Sequence, residues 1–97
     1  MVRRYYDLPS LTALEIFEAS ARHLSFKLAA SELELTSEEI RRQIKAIEGE
    51  LGVRLIEGSG ADVVLTSTGE DLYRLLASSF LRASEVLRIM KRRDWTR

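Results

Sequence analysis

The chain contains no cysteine, a single histidine and a single proline in 97 residues. Without thiols there is no disulfide, no thiolate nucleophile and no thiolate metal site. With His23 alone, a multi-histidine metal site and a paired-histidine relay are excluded as well. No apolar run approaches the roughly 18–20 residues that a membrane span needs. Arg3 and Arg4 are not followed by an apolar stretch, so the start of the chain does not read as a signal peptide. A soluble, cytoplasmic chain with no membrane partner is expected. No glycine-rich loop precedes a helix, and Ser, Glu and His fall at no spacing that suits a nucleophile and its base. Neither an enzyme nor a cofactor is expected.

What is present is one small domain with an uneven charge. The formal net charge is zero, from 15 Lys/Arg and 15 Asp/Glu. Residues 1–71 hold eight basic and thirteen acidic side chains, a net −5, and residues 72–97 hold seven and two, a net +5. A chain this short buries only about 60–65% of its unfolded surface, so a partner subunit would help it.

Helical periodicity dominates. Leu11, Leu14, Phe17, Ala21 and Leu24 recur at spacings of three and four, with Thr12 and Glu15 as a capping box and Pro9 just upstream. A second helix fits residues 25–34, with Ser25 as N-cap and Leu28, Ala29 and Leu33 inward. Thr36 and Glu39 form a capping box for a third helix. Its stripe is Ile40, Ile44, Ile47 and Leu51, with Gly52 at its end. The short link around Leu35 makes the pair a helix–turn–helix. Residues 53–56 and 63–65 read as a small hairpin around Gly58 and Gly60. Thr66 or Ser67 then caps a long final helix. Along it Leu72, Leu76, Phe80, Ala83, Leu87 and Met90 make an apolar stripe suited to a helix–helix seam. The expected core joins Leu14, Phe17, Phe26, Leu33, Ile40, Ile44, Ile47 and Leu55.

This order is that of a mainly α, winged helix–turn–helix domain of three helices and a two-stranded wing, followed by a long dimerisation helix. The residues carry a closer likeness. Leu8-Pro9-Ser10-Leu11-Thr12-Ala13-Leu14, Phe17-Glu18-Ala19 and Ala21-Arg22-His23-Leu24-Ser25-Phe26 resemble the opening of LysR-type transcriptional regulators. So do Arg42-Gln43-Ile44-Lys45-Ala46-Ile47-Glu48, Glu50-Leu51-Gly52-Val53-Arg54-Leu55 and Leu65-Thr66. The resemblance covers residues 8–71 closely and the final helix loosely. It divides the chain into a winged helix–turn–helix at 1–66, a linker helix at 67–92 and a tail at 93–97. It implies a third helix that reads the major groove, a final helix that pairs two subunits, and a further effector-binding domain that a chain ending at Arg97 lacks.

The expectation is thus a stand-alone, sequence-specific DNA-binding regulator acting as a homodimer, without an inducer-binding domain. Its partners are double-stranded DNA and a second copy. The alternative is a protein-interaction module with weakened DNA binding that pairs with or antagonises another LysR-type regulator or other protein. Two departures from the family favour that alternative. Ser37, Glu38 and Glu39 replace the usual start of the reading helix, and Ile56, Gly58, Ala61 and Asp62 leave the wing without its usual cations.

Candidate DNA contacts are Ser37, Arg41, Arg42 and Lys45 on the third helix, with Lys27 at the start of the second. For Arg41 and Lys45 a solvated basic face is an equally good account, and capping is the plainer account of Glu38 and Glu39. Arg3, Arg4, Tyr5 and Tyr6 read as a frayed terminus or as an arm on DNA. His23 is expected to cover carbonyls at the end of the first helix. Trp95 reads as a frayed end or an aromatic anchor.

Overall fold

A computed structural model describes residues 5–58 and 62–95, the side chains of Asp94 and Trp95 excepted. In chain order the elements are α1 (Leu11–His23), α2 (Phe26–Leu33), α3 (Ser37–Leu51), β1 (Ile56–Glu57), β2 (Val64–Leu65) and α4 (Ser67–Trp95). β1 and β2 pair antiparallel, Ile56 with Leu65 and Glu57 with Val64. This is the expected mainly α architecture, three helices, a two-stranded wing and a long last helix. Arg3, Arg4, Gly60 and Ala61 lie outside the described residues, as does the side chain of Trp95.

The helix starts follow local side-chain chemistry. Ser10, not Thr12, caps α1: its Oγ accepts the Ala13 N–H at 3.1 Å, while Thr12 already lies inside the helix. Ser25 caps α2 through the Leu28 N–H, also at 3.1 Å. Thr36 and Glu39 form the expected reciprocal box on α3. Thr66 caps α4 by accepting the Gly69 N–H at 2.9 Å. The helix ends were less legible. α1 and α2 stop at Leu24 (φ 52°) and Glu34 (φ 57°), two left-handed positions filled without glycine.

α1, α2 and α3 close around Phe17, Ile40, Ile47 and Leu55, which are essentially inaccessible. Each of the eight expected core residues belongs to this cluster or packs against it, Leu33 only partly buried. Four expected inward positions face outward: Leu11, Leu24, Leu28 and Leu51. Ala13, Ile16 and Ser20 take up the additional packing on α1, and Phe26 with Ala30 on α2. Ser20 is buried without penalty because its Oγ donates to the Ile16 carbonyl at 2.9 Å.

An ionic knot ties α1 to α2. Arg22 donates to both oxygens of Glu18 and both of Glu32, at 2.8–3.0 Å. His23 Nε2 lies 2.6 Å from Glu32 Oε1. The ring therefore faces a carboxylate and not the α1 carbonyls, which Leu24 caps through its own N–H. Hydrogen bonds from Arg22, then from His23, hold the Glu32 carboxyl down to about 2.

α4 joins the core through Leu76, buried, and through Leu72, Tyr73 and Phe80, partly buried. Gly69 explains how closely it approaches: a Cβ there would collide with the Leu55 carbonyl oxygen. From Leu81 to Arg93 every residue is exposed. At 1.5 Å per residue the 29-residue helix runs about 43 Å, and its distal half overhangs the domain.

Two predictions follow from this packing. An alanine inside a helix ordinarily stabilises relative to glycine. Gly69→Ala should do the opposite, costing about 1–3 kcal/mol by overpacking against Leu55; a higher denaturant midpoint would refute the close approach. Because the Glu32 carboxyl is depressed, its contribution is present above the ordinary carboxyl range and lost as pH falls toward about 2. Glu32→Gln should therefore flatten the acid-side fall in stability between roughly pH 5 and 2, as read from melting curves.

Candidate nucleic-acid interface

α3 buries Ile40, Ile44 and Ile47 and turns Glu38, Arg42, Lys45 and Gly49 outward at spacings of four, three and four. This is the outermost line of the helix. Arg42 and Lys45 lie on it, exposed. Ser37 stands half-buried in the first turn, and Lys27 is exposed in the first turn of α2. Arg41 is exposed but leans aside, its guanidinium carbon 5.4 Å from the centroid of the Phe26 ring. That contact draws Arg41 toward α2 and the wing.

The two glutamates at the start of α3 differ. Glu39 Oε1 accepts the Thr36 N–H and the Thr36 hydroxyl, each at 3.0 Å. Those bonds, helped by nearby Arg42, hold its carboxyl below the usual range. Glu39 is thus a capping residue. Glu38 is exposed, with no such bond among the described residues.

A concavity of about 320 Å³ separates α3 from the foot of the wing. Arg41, Lys45 and Arg54 line it with Phe26, Ile56 and Gly58. Arg54 escaped the sequence reading, which treated the wing as lacking cations. It stands two residues before β1, its Nη2 donating to the Ile56 carbonyl at 3.3 Å. Its signal was its place in the family-like run Glu50-Leu51-Gly52-Val53-Arg54-Leu55, just past the α3-ending Gly52.

Glu48 was also missed, because it reads as part of the solvated face of α3. Its Oε2 accepts the backbone N–H groups of Leu55 at 2.7 Å and Ile56 at 3.1 Å. One carboxylate therefore fastens the wing to α3. The wing's return strand is held on the other side, where the Val63 N–H donates to the Leu24 carbonyl at 3.2 Å.

Of the six stripe residues on α4, Leu72, Leu76 and Phe80 pack into their own domain, and Ala83, Leu87 and Met90 remain exposed. The first half of the stripe is thus an intrachain seam, because α4 starts against Leu55 and must cross the core before leaving it. Tyr5 and Tyr6 are exposed and meet edge to face, ring centroids 4.8 Å apart. Among the described residues no His/Asp/Glu group could hold a metal ion, and no helix is long and apolar enough to cross a membrane.

A capped helix–turn–helix whose second helix exposes Arg42 and Lys45, a short wing beside it and a long trailing helix define a winged helix–turn–helix regulator domain. Residues 11–70 match the family of bacterial regulatory helix–turn–helix proteins of lysR type, and the chain belongs to that family. It is 46% identical over 87 residues to the transcriptional activator AmpR of Yersinia enterocolitica, across 90% of this chain and 29% of the relative. To the glycine cleavage system transcriptional activator of Escherichia coli K12 it is 37% identical, across 90% of this chain and 28% of the relative. The chain therefore spans less than a third of the length of these curated relatives.

Among solved structures, the DNA-binding domain of BenM in complex with benA site 1 DNA superposes with a TM-score of 0.75 at 28% identity. That match covers 87% of this chain and 98% of the other. A Corynebacterium glutamicum OxyR mutant gives 0.76 at 31% identity, covering 92% of this chain and 28% of the other. The family is one of regulators, in keeping with the expectation that the chain is not an enzyme.

Glu48→Ala should leave the buried Leu55 amide without its acceptor, at about 1–3 kcal/mol. Amide hydrogen exchange at Leu55 and Ile56 should quicken, and Glu48→Gln should restore part of the protection. Unchanged exchange in Glu48→Ala would show that the carboxylate does not hold the wing.

Proposed function

We propose that this domain binds double-stranded DNA as a dimer, with α3 in the major groove, and so regulates transcription. The observation that carries the reading is the outer line of α3, where Arg42 and Lys45 stand exposed on a helix whose opposite face is buried. Arg42 reads a base or grips a phosphate, and an arginine paired to a guanine edge is worth about 1–3 kcal/mol. Ser37 sits at the helix end nearest the groove floor. Lys45, Lys27 and Arg41 act on phosphates, Arg41 from its seat on Phe26. Support also comes from the likeness to BenM's domain, which was crystallised as a DNA complex. Pairing uses the distal face of α4, where Ala83, Leu87 and Met90 stay exposed. The domain acts in the cytoplasm and needs no cofactor for this role.

One observation favours a second reading, a module that pairs with another regulator and binds DNA weakly. Glu38 is exposed on the same line as Arg42, one helical turn away. It repels phosphates unless it faces a donor such as a cytosine amino group.

Fluorescence anisotropy on duplex DNA at low salt separates the two. The first reading expects binding, a log–log salt slope that steepens by roughly 0.9 per phosphate neutralised, and weakening of roughly 5- to 150-fold in Arg42→Ala. A dimer that binds no duplex at low salt would overturn it in favour of the second.

A further inference from the structure

α3 begins with two neighbouring glutamates, and the fold uses only one of them. The Glu39 carboxylate is occupied by the Thr36 N–H and hydroxyl in the capping box. Glu38 caps nothing: it is exposed and makes no hydrogen bond or ion pair among the described residues. Arg42 follows four residues later, an order that suits an ion pair on a helix surface. The two nevertheless stay apart, both exposed on the outermost line of α3. At 1.5 Å per residue they stand about 6 Å apart along the helix axis. Arg41 and Lys27 lie off this line, the first drawn to Phe26 and the second on α2.

We propose that Glu38 is a base-reading residue that accepts a hydrogen bond from the amino group of a cytosine, while Arg42 takes a guanine one or two base pairs away. The inference rests on the DNA-binding reading above and adds which bases the outer line of α3 selects. A recognition helix in the major groove meets base edges with its N-terminal residues, and Glu38 lies in the first turn of α3. A carboxylate there can only accept. The groove offers it two donors, cytosine N4 and adenine N6, whereas guanine and thymine present acceptors. Adenine N6 lies beside its own N7 acceptor, which repels a carboxylate, and cytosine N4 has no such neighbour on its base. Base pairs rise about 3.4 Å each, so the separation of Glu38 and Arg42 covers one to two steps. The same negative charge opposes the phosphates of every duplex. Glu38 therefore weakens binding to random DNA while it sharpens binding to the right site.

The test is site selection from a randomised duplex library at low salt by the purified chain and its Glu38→Ala and Glu38→Gln variants. Anisotropy then compares the selected duplex, one with its cytosine pair exchanged, and random DNA. Because Glu38 makes no bond within the fold, both variants should keep the wild-type circular dichroism spectrum. Wild type should select a fixed cytosine near the guanine, and exchanging that pair should weaken binding roughly 5- to 150-fold. Glu38→Ala should lose the cytosine preference alone, yet bind random duplex more tightly than wild type. Glu38→Gln should move the preference to adenine, which a glutamine meets with both a donor and an acceptor. If Glu38→Ala tightens binding to every duplex and leaves the base preference unchanged, Glu38 only repels phosphate; the inference then fails while DNA binding stands. If wild type binds no duplex, the DNA-binding reading fails and this inference with it.

Discussion

The backbone of Leu55 joins three elements, and the arrangement of the rest of the domain depends on that junction. Its N–H is taken by the Glu48 carboxylate of α3, and its carbonyl accepts the Thr66 N–H at the entry to α4. Its side chain is wholly buried, and Gly69 lies against the same carbonyl with no room for a methyl group. The Thr66 hydroxyl, besides capping α4, donates to the Arg54 carbonyl at 2.7 Å. A buried peptide unit must have its polar groups satisfied, and here each bond comes from a different element. The wing, α3 and α4 are thereby fixed relative to one another over a few residues.

The same bonds alter the meaning of the charge. A net −5 over residues 1–71 argues against a phosphate-binding head when only formal charges are counted. Several of those carboxylates are occupied within the fold. Glu18 and Glu32 hold Arg22, Glu39 holds the start of α3, and Glu48 holds the wing. Each keeps its charge, but one that accepts backbone amides or a guanidinium is partly offset where it stands. The outer line of α3 retains one carboxylate, Glu38, against Arg42 and Lys45. Acidity inferred from composition and acidity at a surface are therefore different quantities in this chain.

Features carried by neighbours in sequence were legible, and those carried by distant contacts were not. The Thr36–Glu39 box, the Ile40-Ile44-Ile47 stripe and the Gly52 terminus involve residues a turn or less apart, and periodicity alone exposes them. The exposed placement of Arg42 and Lys45 follows from that stripe. Glu48 looked solvated because its partners lie seven and eight residues on, across a turn. Gly69 reads as a weak point in a helix until Leu55 is set beside it. The ends at Leu24 and Glu34 carried no glycine signal. Likewise nothing local divides the α4 stripe at Phe80, since spacing cannot tell a residue that packs on its own domain from one left outside.

That division gives α4 its mechanical role. Leu76 and Phe80 seat the helix on the core, and the Gly69–Leu55 contact fixes where it starts, so the helix leaves the domain along one direction. A rigid lever about 43 Å long converts small angular errors at its root into large displacements at its tip. In the proposed dimer, pairing at the distal half would set the distance and orientation between the two α3 helices without either touching the other. A helix–turn–helix dimer needs that spacing to match successive major grooves on one DNA face, roughly 34 Å apart. In that proposed arrangement, the glycine that excludes a side chain at the root of α4 would bear on where each α3 meets DNA.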